Sequence, residues 1–452
     1  MQTFFKKITD RKYLPLWIFA IIQMVYHVLM REPEGSDAMW FFRNQLDAYS
    51  LKDYLTMRYE TWASRIFIEA VLVYISRNIL LWKILDWVFW VFLAWALMYI
   101  FPKEKRTTAG WMVVGILLVY PIWDLRTAGW IATSANYTWT LALGAFALHG
   151  VANTYYHKKT SPIMVVLYAV AAVYSANMEQ MSAVLLAVSG CSILYFISQK
   201  MPVKSYISSI VCCVISIAEF AFILTCPGNA ARKSQEIINW MPNFETYSFI
   251  DKVNMGFVDT MQHLVSSGNL MFLAFVLVLA IVVFLKTKNT LFRCVAVFPV
   301  VLNVILVFFR DTLEVYLPTF SKLMEKSAFI TGRNYYLAAN YLPTVIYFAI
   351  VGCMLVSLVV VCDSIFELFG QGLLLALALA TRVIMGFTPT IYVSQERTFL
   401  YLYVLLGISG VWLVLQNQQL LKDGKVYRGL KVAGACMLVF GVILALAEVG
   451  SV

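Results

Sequence analysis

Residues 14–30 read LPLWIFAIIQMVYHVLM, with Lys6, Lys7, Arg11 and Lys12 before them and Arg31-Glu32-Pro33-Glu34-Gly35-Ser36-Asp37 after them. A charge-free run of this length crosses most of a ~30 Å hydrocarbon core as a helix. Its basic amino-terminal flank and the lack of a small-residue cleavage site make it an uncleaved signal anchor with its amino end in the cytoplasm. Working outward, comparable runs lie near 79–101, 110–123, 138–155, 162–176, 181–199, 206–225, 269–286, 291–309, 340–361, 370–386, 398–416 and 430–448, which makes thirteen crossings. The reading is an all-α integral membrane protein, residues 1–452 forming a single polytopic domain.

Composition agrees. The 452 residues are 61% hydrophobic and 13% charged, against about 45–50% and about 25% in soluble domains, which excludes a soluble enzyme and a disordered chain. The formal charge of +10 is dispersed among short loops rather than gathered on one face, so anionic lipid is its partner and nucleic acid is not. Eight cysteines, none in a CxxC pair, sit within or at the ends of apolar runs and read as packing residues.

Alternation from a cytoplasmic amino end gives the inner segments a large basic excess and leaves the outer ones close to balance, as the positive-inside rule requires. The stretch 64–101 is long enough for two crossings, yet two would put Lys103, Lys105 and Arg106 outside. An odd number is preferred, with part of 64–78 an interfacial or tilted helix. The larger outer loops are then 31–63, 124–137, 226–268, 310–339 and 387–397. In the first, Leu46, Tyr49, Leu51, Tyr54 and Leu55 recur at roughly helical spacing among charges, which predicts an amphipathic helix on the membrane surface.

Several outer polar residues can carry chemistry. Asp37 follows the first span at headgroup level, where a carboxylate can deprotonate an acceptor hydroxyl or help hold a metal ion; a solvated acidic loop is the other reading. Asp124 precedes Asn136-Tyr137-Thr138-Trp139, residue types that stack on and hydrogen-bond a sugar but also make interfacial aromatic belts. Glu179 joins two apolar runs with scarcely any loop, so it lines a polar cavity with Arg65, Arg232 or Arg397 as partner, or forms a short interfacial turn. Cys226-Pro227-Gly228-Asn229 predicts a turn followed by Arg232 and Lys233, cations that meet a phosphodiester or snorkel. Arg333, Glu396 and Arg397 add to the outer rim, and converging guanidinium groups suit a phosphate clamp. The four histidines are scattered, and no HExxH, Walker A, dinucleotide or GxSxG motif is present.

With Trp62 to Arg65 as Trp-x-x-Arg, Asn136 to Trp139 as Asn-Tyr-x-Trp, Glu179-Gln180, and Pro227 to Arg232 as Pro-Gly-Asn-x-x-Arg, the chain resembles the GT-C class of polytopic glycosyltransferases, closest to bacterial polytopic membrane proteins. The resemblance implies transfer of a sugar from a polyprenyl-phosphate donor to a glycan or other cell-envelope acceptor on the outer face of the bacterial cytoplasmic membrane. It implies Asp37 as base, Asp124 or Glu179 assisting acceptor placement, and Arg232, Arg333 and Arg397 stabilising the lipid-phosphate leaving group. Arg65, Asn136, Tyr137, Asn229 and Glu396 would contact substrate. Members often pair two acidic residues in the first loop, whereas Asp37 stands between Ser36 and Ala38, so a divalent metal ion stays open and no metal ligand is assigned. A transporter or flippase of a lipid-linked glycan, and a glycan polymerase or ligase, are the alternatives.

Overall fold

The computed structural model describes residues 11–268, 270–325, 329–421 and 424–451. Lys6, Lys7 and residues 326–328 of the expected 310–339 loop lie outside the described residues. Among the described residues every regular element is helical, and nine helices are long and apolar enough to cross a membrane, or up to ten if one bent pair forms a single span. This is the make-up of an α-helical multi-pass membrane protein.

Several expected runs take other forms. Arg106–Val119 and Pro162–Ala176 are apolar helices of 14 and 15 residues, about 21–22 Å long at 1.5 Å per residue, shorter than the hydrocarbon core. The run at 138–155 divides into Trp139–Ala147 and His149–Tyr155 and is preceded by a π-helical turn at Ser134–Thr138. The 64–78 stretch holds the ten-residue helix Ile66–Ile75, separate from Ile79–Tyr99. The 226–268 loop contains the helices Pro227–Trp240 and Phe249–Ser266. The second of these buries Met255, Val258, Met261 and Val265, while Asp251, Lys252, Asp259 and His263 interrupt its apolarity enough to hide it from a search for uniform apolar runs.

Two compact units are distinguished. Unit 1 runs to Gln235 and takes in Ser394–Tyr401 and the chain from Gly441. In it Ile79–Tyr99 packs against Leu14–Leu29 and Trp139–Ala147, and Glu179–Ser198 against Ile207–Thr225. Phe19, Trp82, Trp90, Leu93 and Leu185 are fully buried there, while Val28, Ile163 and Leu224 stay exposed, as side chains facing lipid do. Unit 2 covers Glu236–Val393 and Leu402–Phe440. Within it Arg382 on Ile365–Val383 reaches Asp259 on Phe249–Ser266 at 2.6 Å and donates to the Ile391 carbonyl at 3.3 Å. A charge pair this deep is retained where each partner neutralises the other.

The segment after the first span folds into three short helices, Asp37–Phe41, Gln45–Ala48 and Leu51–Thr61. Ser50 caps the last by accepting the Asp53 N–H, and Tyr54 turns inward to donate to the Phe41 carbonyl at 2.8 Å. Lys52, Thr56 and Glu60 stay exposed on the opposite face, while the buried side holds Arg58 beside Tyr54, and Leu46 and Tyr49 of the expected helix lie outside Leu51–Thr61.

Candidate functional site

Unit 1 gathers most of the sequence-predicted polar residues. Ser36 caps Asp37–Phe41 by accepting the Met39 N–H, which sets Asp37 in the first turn, where a carboxylate suits the helix dipole. The Asp37 N–H donates to the Ala128 carbonyl at 3.1 Å. Nearby, Glu32 Oε2 accepts the Ile131 N–H at 3.1 Å, covering the exposed amino end of Trp130–Thr133. Gly129 makes this approach feasible: its φ is +90°, and a Cβ there would lie 2.3 Å from the Ser36 Cβ and 2.4 Å from Glu32 Oε1.

Glu32 thus gives Oε2 to backbone, while its Oε1 is buried with no hydrogen-bond partner among the described residues. Asp37 has neither oxygen engaged among them. Half-buried, its carboxylate makes no hydrogen bond or ion pair among the described residues. Burial raises its pKa above the ordinary aspartate value, and the charges of Arg397, Arg58 and Arg232, in that order, oppose the rise.

Arg58, which acts on Asp37, and Arg65 each bind a carboxylate. Arg58 forks onto Glu69 with bonds of 2.7 and 2.8 Å, both side chains buried. Arg65 binds Glu179 through Nε at 3.1 Å and Nη2 at 2.8 Å, and its Nη1 donates to Asn136 Oδ1 at 3.1 Å. Of the partners that the sequence offered Glu179, the structure selects Arg65, with Arg232 the next charge acting on it. Arg58 and Arg232 both lie over the Trp62 indole, at 5.5 and 5.9 Å from its centroid.

Asn229 and Gly228 have structural work. Pro227 opens the helix Pro227–Trp240 where the sequence predicted a turn, since proline suits the first turn of a helix as well. A Cβ on Gly228 would lie 2.5 Å from the Trp62 nitrogen and 2.6 Å from the Tyr59 carbonyl, so this helix start rests directly on the end of Leu51–Thr61. Asn229 Nδ2 donates to Ser64 Oγ and to the Ile223 carbonyl. That seat carries Arg232 one turn further along.

Asp124 is buried in the 3₁₀ turn Ile122–Arg126, and its pKa is pushed up to about 8 by burial and then by the charge of Glu396. Glu396 and Arg397 start the short helix Glu396–Phe399, which the chain contributes to unit 1 from far along the sequence. Tyr137 is buried in the π turn, its ring 6.1 Å from that of Tyr401. Arg333 belongs to unit 2, where its side chain is exposed.

The sequence reading passed over Arg58 and Asn177 as site residues. Asn177 is fully buried; its Oδ1 accepts the Phe67 and Ile68 N–H groups, and its Nδ2 donates to the Ser64 carbonyl and Glu219. It thereby holds the start of Ile66–Ile75 beside Arg65. The signal was a polar residue wedged between two apolar runs, the same signal that pointed to Glu179 two positions on. Among the described residues no group of three or more His, Cys, Asp and Glu side chains could hold a metal ion. In the comparisons with known proteins, no family model, no characterised protein and no solved structure matches the chain.

Proposed function

We propose that the unit 1 cluster is the active site of a GT-C-like glycosyltransferase that moves a sugar from a polyprenyl-phosphate donor to a hydroxyl of a cell-envelope acceptor. The supporting observation is Asp37: a carboxylate with no partner of its own among the described residues, acted on by three guanidinium charges. In this reading Asp37 takes the proton of the acceptor hydroxyl while the acceptor oxygen bonds to the anomeric carbon. The bond from that carbon to the phosphate oxygen breaks, and its electron pair leaves with the lipid phosphate. Arg232 and Arg397 stabilise that charge, as fixed donors do where negative charge develops. Arg65, already bound to Glu179, orients it and Asn136 toward substrate. Asp124, with a pKa of about 8, retains its proton near neutral pH and donates to an acceptor oxygen.

The same reading puts the amino end in the cytoplasm and the cluster on the outer face of a bacterial cytoplasmic membrane, because the charge asymmetry favours that orientation. Cysteine introduced at exposed Ser248 is expected to label from outside intact cells, and labelling only after the inner face is opened overturns the orientation. Transfer itself is tested in liposomes holding the purified chain and a labelled polyprenyl-phosphate sugar. Transfer and flipping are scored separately. Label reaching an acceptor supports the transferase, whereas label crossing the bilayer with the donor intact favours a flippase.

A further inference from the structure

A second buried polar cluster in unit 1 is built from other residues. His27, Asp86 and Trp139 come from Leu14–Leu29, Ile79–Tyr99 and Trp139–Ala147, and none is more than 3% exposed. His27 Nδ1 lies 2.7 Å from the Gln23 carbonyl oxygen, which can only accept, so Nδ1 carries a hydrogen. His27 Nε2 lies 2.9 Å from Asp86 Oδ2, and Asp86 Oδ1 accepts the Trp139 indole N–H at 2.8 Å. One proton is shared across the His27–Asp86 contact, and both carboxyl oxygens are engaged. One turn before Asp86 on the same helix, Trp82 Nε1 donates to Ser134 Oγ at 2.8 Å. Ile79–Tyr99 therefore grips the chain at Ser134 and again at Trp139, on either side of Asn136.

Between those grips lies the π turn Ser134–Thr138. A π turn departs from the ordinary helical ladder and needs support from outside it. Thr140 Oγ1 donates to the Asn136 carbonyl at 2.6 Å, and Asn136 Nδ2 donates to the Ala132 carbonyl, leaving Oδ1 to receive Arg65.

We infer that His27, Asp86 and Trp139 are positioning residues that hold the π turn and so aim the Asn136 amide at Arg65 in the site. As regards substrate the inference rests on the proposed transferase. Hydrogen exchange of the amides of 134–140 tests it without activity, and donor KM and kcat in liposomes test its consequence. Trp139→Phe removes the indole N–H and keeps a ring against Phe89, which stacks on Trp139 at 4.4 Å. Loss of a hydrogen bond to a carboxyl group is expected to speed exchange there roughly tenfold or more. Donor KM should rise several-fold while kcat changes less. Asp86→Leu should do the same. Asp86→Asn should not, since its Oδ1 accepts from Trp139 and its Nδ2 donates to His27 Nε2. Unchanged exchange in Trp139→Phe overturns the inference, as does an Asp86→Asn variant as damaged as Asp86→Leu. A wild-type chain that transfers no sugar defeats the proposed function, while the exchange comparison still decides what holds the turn.

Discussion

Glu32 and Asp37, five positions apart after the first span, differ in what their oxygens meet. The first gives one oxygen to a backbone N–H and buries the other, while the second keeps both oxygens unengaged among the described residues. Nothing in the local sequence distinguishes them, because the deciding partners at 129–131 are about a hundred residues away. Asp124 gives the sharpest expectation at this scale. Its folded pKa of about 8 is raised from 3.8 by burial and by Glu396. The folded chain thus keeps a proton that the unfolded chain has released, and this contribution to stability is fully present below pH 3.8 and lost as pH rises through about 8. Asp124→Asn, uncharged and nearly isosteric, is expected to flatten the fall in thermal midpoint between about pH 5 and about pH 9. A wild-type midpoint level across that interval contradicts the assignment.

Among the elements, the start of Pro227–Trp240 against the end of Leu51–Thr61 sets the distance between Arg232 and Trp62. Gly228→Ala places a methyl group 2.5 Å from a backbone nitrogen, so the helix must move. Overpacking of this kind costs about 1–3 kcal/mol. A lowered unfolding midpoint of the detergent-solubilised protein is expected, and an unchanged midpoint shows that the seat is loose. The helical character of Leu51–Thr61 was legible in the spacing of Leu51, Tyr54 and Leu55, but the break between Ala48 and Leu51, which leaves Tyr49 exposed, was not. The helix Phe249–Ser266 was not, because its charges fall within the apolar face: Asp259 is satisfied by Arg382, a partner 123 positions on. The π turn left no local signal either, since its supports are Trp82 and Asp86 on another helix.

For the whole molecule, composition and long apolar runs reveal an α-helical multi-pass chain directly, since a bilayer admits little else. The number of crossings is harder to read, because the runs near 110–123 and 162–176, counted as crossings in the sequence, fold as the short apolar helices Arg106–Val119 and Pro162–Ala176. Residue type and position near span ends drew attention to Asp37, Arg65, Glu179 and Arg397 as candidates, while the pairing of Arg65 with Glu179 needed the folded chain. The proposed transferase stands on Asp37, and the most direct measurement compares wild type with Asp37→Asn in liposomes carrying the labelled polyprenyl-phosphate sugar and a hydroxyl acceptor. The amide is close to isosteric but cannot take up a proton. Transfer is expected to fall by two orders of magnitude or more, about the contribution of general base catalysis, with donor binding and the unfolding midpoint near those of wild type. An Asp37→Asn chain that transfers sugar at the wild-type rate contradicts the account.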